Sequence, residues 1–168
     1  IGFLGRLDPI KRVPNLLEAL GNVPRAHLHI FGEGSERLEI ERTAIRLGLT
    51  RRVTLHGAVP LPQDALSKIR LLILPSAAEG FGLVLIEAMA ARVAVVATDV
   101  AGIRDVVKNE VTGLLVPSEQ PQSLADAINR LIADPLLRNR LIEAGAADVR
   151  ERFTWNVVLP KYRELLEI

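Results

Sequence analysis

Six short apolar runs, each followed by a stretch of helical periodicity, constrain this chain more than any other feature. The runs are "IGFLG" (1–5), "AHLHIFG" (26–32), "RVTLHG" (52–57), "LLILPS" (71–76), "VAVVATD" (93–99) and "TGLLVP" (112–117). Short, nearly continuous apolar segments of this kind read as strands covered on both faces. Helical patterns lie near 12–21, 35–48, 62–69, 82–91, 102–109 and 121–133, with two more near 135–152 and 154–167. The segment 121–133 carries the stripe Leu124, Ala127, Ile128, Leu131 and Ile132, the spacing of a helix that buries one face. Asp134-Pro135 is a helix start, a capping acid before a first-turn proline. Thr154 is placed to cap the last helix, and Pro160 to kink or break it.

Strands that alternate with helices form a parallel sheet with helices on both sides. We therefore expect an α/β, Rossmann-like, doubly wound sheet of six parallel strands in the order 3-2-1-4-5-6. The 168 residues, 49% of them apolar, suffice for one core, and we treat 1–168 as one domain. Twenty-one basic and 20 acidic side chains nearly cancel, which argues against a non-specific nucleic-acid binder. With no cysteine, disulfides and thiolate metal sites are excluded. Runs such as "LLIL" and "VAVVA" are far shorter than a membrane span. The chain opens directly on a strand, and we expect it to be part of a longer, cytoplasmic protein.

The strand order locates a site. Strands 1 and 4 are neighbours at which the winding reverses, and ligands of such sheets bind outside the carboxyl ends of the strands at that point. The loops there are "GRLDPIKR" (5–12) and "SAAEGFG" (76–82). The first carries Arg6 and Lys11, with Arg12 adjacent; arginine offers phosphate a fork of donors and lysine a point charge. Ordinary surface cations would look the same. In the second, Gly80 and Gly82 flank Phe81 in what reads as the first turn of the helix near 82–91. Free N–H groups and the positive dipole end suit an anion there, although a tight turn alone would justify one glycine. Glu79 stands at the mouth, facing a hydroxylated ligand or merely capping the helix. Glu87, among Leu83, Val84, Leu85, Ile86, Ala88 and Met89, is expected to be a buried carboxylate. Such a group needs donors, which ribose hydroxyls, an arginine or backbone amides could supply.

Other signals are weaker. "FGEGSE" (31–36) lacks the third glycine of a dinucleotide fingerprint and follows the wrong strand. "LHGAV" places Gly57, Ala58 and Val59 where backbone groups could meet a base. His27 and His29 read as sheet residues, with His56 nearer the site edge. No metal cluster, nucleophile elbow or P-loop is present in the sequence.

In the order in which they occur, "GRLDPIKR", "FGEGSERL", "RVTLHGAV", "LILPSAAEGFGLVLIEAMAARVAVVATDVAGIRDVV" and "TGLLVP" resemble the carboxyl-terminal domain of GT-B glycosyltransferases. The resemblance is to the retaining group 1, or family 4, enzymes, and it covers nearly the whole chain. Its most specific part is Glu79, seven residues, then Glu87. The resemblance implies that Arg6 and Lys11 bind the donor diphosphate and that Glu79 contacts donor-sugar hydroxyls. It also implies that the amides of Phe81, Gly82 and Leu83 approach sugar and phosphate, and that Glu87 binds the ribose. Glu79, Arg6 and Lys11 are then the catalytic candidates. Three places depart from the family pattern. Arg12 stands where glycine is usual after the lysine. Arg92-Val93-Ala94 replaces Gly-x-Pro, and Ala101 to Asp105 replaces Gly-Gly-x-Pro-Glu.

The resemblance implies transfer of a hexosyl group from a nucleotide diphosphate sugar, such as a UDP- or GDP-sugar, without metal or other cofactor. It implies a partner domain at the amino-terminal side that binds acceptor, without which this chain would bind donor but not turn over. Direct membrane contact is not expected of this domain; docking of the parent enzyme on the inner membrane face is left open. Two alternatives stay open: half of a sugar-nucleotide epimerase or phosphorylase-like enzyme, and a free-standing nucleotide-binding module.

Overall fold

The computed structural model describes residues 1–166. The expected ends of the last helix, at 167, and of the domain, at 168, lie outside the described residues. One parallel sheet runs in the expected order β3-β2-β1-β4-β5-β6. The strands are β1 (Gly2–Leu4), β2 (Leu28–Phe31), β3 (Val53–Gly57), β4 (Leu71–Leu74), β5 (Ala94–Thr98) and β6 (Leu114–Val116). The helices are α1 (Val13–Gly21), α2 (Arg37–Arg46), α3 (Pro62–Leu66), α4 (Leu83–Ala90), α5 (Ala101–Arg104), α6 (Pro121–Ala133), α7 (Pro135–Arg152) and α8 (Trp155–Leu165).

Packing sorts the helices into two layers. On one side α1 lies against α2 and α6; on the other α4 lies against α3 and α7. Every residue of β4 and β5 is buried, so both faces of the central strands are covered, which removes their apolar surface from water. The stripe expected on α6 packs inward at Leu124, Ala127, Ile128 and Leu131. Arg52 stitches the base of the first layer. Its guanidinium donates to the carbonyls of Leu20, near the end of α1, and of Val23 and Ala26 in the segment that follows.

Three local expectations change. The α5 segment is a single turn rather than a helix over 102–109. Val106 and Val107 are adjacent, β-branched and both buried, and their N–H groups both reach the Ile103 carbonyl. The chain then turns away, with the Lys108 N–H donating to Thr112 Oγ1. Pro160 does not break α8, which continues past it. Thr154 caps α8 only through its carbonyl, which accepts from the Val157 and Val158 N–H groups. Its hydroxyl instead donates back to Arg150 of α7. Among the described residues no helix is long and apolar enough to cross a membrane.

The pairing of β1 with β4 matters most for function. The two strands share one register pair, Gly2 with Leu72, whereas β4 and β5 share four. They are joined near their amino ends, and their carboxyl ends lead into two separate loops. That is the geometry of a crevice at a topological switch point.

Candidate functional site

The loop after β1 is fixed from its first residue. The Gly5 N–H donates to the Phe31 carbonyl, the Leu7 N–H to Glu33 and the Glu36 N–H to Leu7. This seats the β1 loop on the β2 loop. A Cβ at Gly32 would fall 1.8 Å from the Gly5 carbonyl oxygen, so this glycine of "FGEGSE" serves backbone contact. The chain then makes a 3-10 turn over Pro9–Lys11 and reverses at Arg12, whose φ is 50°. The Ile10 carbonyl accepts the Ala77 N–H at 2.8 Å, and Lys11 Nζ meets Glu79 Oε2 at 2.6 Å. The loops after β1 and β4 are thus joined twice, by backbone and by an ion pair. The side chains of Lys11 and Glu79 are only 20% and 14% exposed, which strengthens the pair relative to one in open solvent. Ser76 Oγ also donates to Glu79 Oε2, at 3.4 Å, and Thr98 Oγ1 donates to the Ser76 carbonyl at 2.5 Å.

The glycine turn differs from its expected form. Helix α4 begins at Leu83, so Gly80 and Gly82 precede its first turn. Gly82 is the N-cap in a left-handed conformation, φ 71°, which favours glycine whatever binds there. A Cβ at Gly80 would meet nothing within 4 Å, so the protein itself gives no steric reason for glycine at 80. The opposite holds at Gly102, where a Cβ would lie 2.3 Å from the Glu79 carbonyl oxygen and 2.5 Å from that of Gly80. The start of α5 therefore packs directly on the backbone that carries Glu79. No side chain caps α4; Glu79 is engaged with Lys11 and Ser76 instead. The first N–H groups of such a helix have no acceptor within it and face the turn with the positive dipole end.

Glu87 is not the buried carboxylate expected. Leu85, Ala88 and Met89 form the inward face of α4, so Leu83, Glu87 and Ala90, spaced four and three apart, turn outward and are exposed. Partial burial nevertheless pushes the Glu87 carboxyl above its ordinary range. Leu83 is 65% exposed and Phe81 42%, the latter edge-on to Phe153 at 6.0 Å.

Arg6 stands apart from the Lys11–Glu79 pair. It is 81% exposed and bound to Asp8 at 2.7 Å. With Ala58 and Val59 it lines an open cavity of about 300 Å³, together with Leu4, Gly5, Phe31, Gly32 and Glu33. Of the three candidate base contacts, Gly57 already accepts the Gly32 N–H at its carbonyl. The histidines are absorbed by the sheet. His27 bonds Thr54, His29 bonds His56, and His56 stacks on Phe31. Burial, the largest cause, holds His29 and His56 below their ordinary pKa. Among the described residues no group of three or more potential ligands is placed to hold a metal ion.

Sequence reasoning missed Ser76, Thr98 and Gly102 as supports of Glu79. Only Gly102 carried a signal, as a glycine just past strand 5. Two departures from the family pattern acquire a geometry. Arg12 and Arg92, both at positions where the family favours glycine, have left-handed backbones, with φ of 50° and 60°.

A family model described as glycosyl transferases group 1 matches residues 1–148. The chain is 34% identical over 151 residues to the alpha-D-kanosaminyltransferase of Streptomyces kanamyceticus, covering 86% of this chain and 39% of that protein. It is 35% identical over 171 residues to a D-inositol 3-phosphate glycosyltransferase of Streptomyces bingchenggensis, covering 92% of this chain and 37% of that one. Among solved structures, Anabaena Alr3699/HepE in complex with UDP superposes with a TM-score of 0.94 at 28% identity, over 99% of this chain and 48% of the other. The chain thus spans about two-fifths of the length of these curated relatives.

Proposed function

This chain belongs to the group 1 glycosyl transferases, and from that premise we propose that it is the donor-binding half of a retaining, metal-independent enzyme. The full protein would move a hexosyl group from a nucleotide diphosphate sugar to an acceptor held by a second, amino-terminal domain. The Lys11–Glu79 pair at the β1/β4 reversal carries this reading. A cation and a carboxylate from two different loops are held together at the place where such sheets receive ligands. Beside them lies Gly80, where an added Cβ would meet nothing within 4 Å.

Each group then has a task. Lys11 and the open end of α4 stabilise the negative charge that grows on the departing nucleoside diphosphate, an electrostatic contribution that needs no reorganisation. Arg6, exposed and paired only with Asp8, exchanges that bond for one to the same phosphates. Glu79 exchanges its bond to Lys11 for bonds to sugar hydroxyls once the diphosphate neutralises the lysine. Glu87, outward-facing and partly desolvated, accepts bonds from ribose hydroxyls. Ala58 and Val59 flank the base in the cavity beside Arg6. The relative crystallised with UDP has also been solved with UDP-glucose, which supports a nucleotide sugar as the ligand class. The isolated chain would bind donor without turnover, because the acceptor side of the cleft belongs to the other domain.

An NMR titration with UDP and, separately, GDP tests this. Shifts should concentrate at Arg6, Lys11 and residues 79–87, and Lys11→Ala should weaken binding at least tenfold, the scale of one lost charge-assisted hydrogen bond to a phosphate. Shifts spread over the surface, or an unchanged affinity in Lys11→Ala, would overturn the assignment.

A further inference from the structure

We propose that Arg12 and Glu119 form a clasp that positions Lys11. The clasp itself stands on geometry; its consequence for ligand affinity rests on the reading of Lys11 as a donor-phosphate group. Among the described residues, four that are not glycine have left-handed backbones: Arg12, Arg92, Glu110 and Glu119. A Cβ makes that conformation unfavourable. Two of the four, Arg12 with φ 50° and Glu119 with φ 58°, are 107 residues apart in sequence and meet at 2.7 Å, Nη2 to Oε1. One ion pair therefore has a disfavoured backbone at both ends.

Stability does not account for it. The two side chains are 43% and 58% exposed, and exposed pairs of this kind contribute little. Glycine would suit both backbones better. The Arg12 Nε is moreover shielded from solvent without an acceptor, a further cost. Backbone strain maintained at both ends of one contact points to a role for the contact.

The placement supplies that role. Arg12 directly follows Lys11 and joins the 3-10 turn to α1. Glu119 lies between β6 and α6, beyond the carboxyl end of β6. The upstream part of the loop is held by Leu7 on Glu33 and by Ile10 on Ala77. At its downstream end the Arg12 side chain reaches the other half of the sheet. Lys11 is thus held from both directions and is already against Glu79. A lysine placed in advance does not have to be ordered when a diphosphate arrives, and apparent affinity scales with the fraction of molecules in the competent state.

The experiment compares the parent chain with Arg12→Gly, with Glu119→Gly and with the exchanged pair R12E/E119R. Glycine accepts both backbone conformations, so the single variants retain the fold, and thermal unfolding checks this. The first readout needs no ligand: the ¹⁵N resonance of the Lys11 ammonium, slow to exchange while paired with Glu79. Both glycine variants should lose that protection, and the exchanged pair should recover it. The second readout is UDP titration. Affinity should fall between about threefold and tenfold in each glycine variant, the cost of re-ordering one long side chain on binding, and return in the exchanged pair. An unchanged Lys11 resonance in both single variants overturns the clasp. So does a loss of UDP affinity in Arg12→Gly alone, because Arg12 would then be touching the ligand itself. If the parent fails to bind UDP, the donor-site reading falls, and the Lys11 resonance by itself still decides the clasp.

Discussion

Replacing Gly102 by alanine tests the reasoning that links the fold to the site. In an ordinary helix the change stabilises, because alanine exceeds glycine in helix propensity by about 1 kcal/mol. Here the added Cβ would lie 2.3 Å from the Glu79 carbonyl oxygen, 2.5 Å from that of Gly80 and 2.7 Å from the Gly80 carbonyl carbon. All three are backbone atoms, so no rotamer change relieves the contact. Ordinary contact begins near 3.4 Å, so the turn must retreat by about 1 Å. Overpacking of this kind costs about 1–3 kcal/mol. Set against the propensity gain, a net loss of up to about 2 kcal/mol is expected, or a fall in Tm of up to about 8 °C for a chain of this size. The same displacement draws Glu79 from Lys11, so UDP affinity should fall several-fold. Gly21→Ala is the control. It lies at the end of α1, and a Cβ there meets nothing within 4 Å. It should gain about 0.4–1 kcal/mol through the unfolded chain. Calorimetry and UDP titration of the two variants give the answer. If Gly102→Ala matches Gly21→Ala in both stability and affinity, the α5 start does not brace the Glu79 turn and the argument is wrong.

Two further outcomes follow from the packing and the charges. Arg52→Met keeps the aliphatic stem and removes the donors to Leu20, Val23 and Ala26. Loss of charged hydrogen bonds predicts about 1.5–3 kcal/mol by denaturant unfolding, and a loss under about 0.5 kcal/mol, the level of an ordinary surface substitution, would mean that water replaces the arginine. For Glu87, burial raises the folded-state pKa above 4.5, so the folded protein holds this proton to higher pH than the unfolded chain. Stability therefore declines as pH rises through the interval just above 4.5. Glu87→Gln should accordingly gain on the parent between about pH 4 and pH 7, read as the difference in Tm, and a constant offset across that range would contradict the desolvation.

The fold was open to reading because its determinants are local and repeated. Apolar strand runs alternate with amphipathic segments, and right-handed crossovers allow few ways of packing them. The two loops of the site followed from the strand order alone. The pairings within those loops did not. Glu87 read as buried because its sequence neighbours are apolar, yet a helix start at Leu83 turns it outward. Arg6 and Lys11 looked equivalent in sequence, but one is bound to Asp8 in solvent and the other to Glu79 under cover.

Sequence by itself determined the sheet, its order, the reversal between β1 and β4, and the residue types available there, since periodicity and chain connectivity are properties of the chain. Only tertiary structure decided that Lys11 meets Glu79, that Gly102 braces the turn and that Arg12 reaches Glu119. Each of these joins residues tens of positions apart. Such contacts depend on ångström-scale placement of backbone across the sheet, which no local pattern encodes.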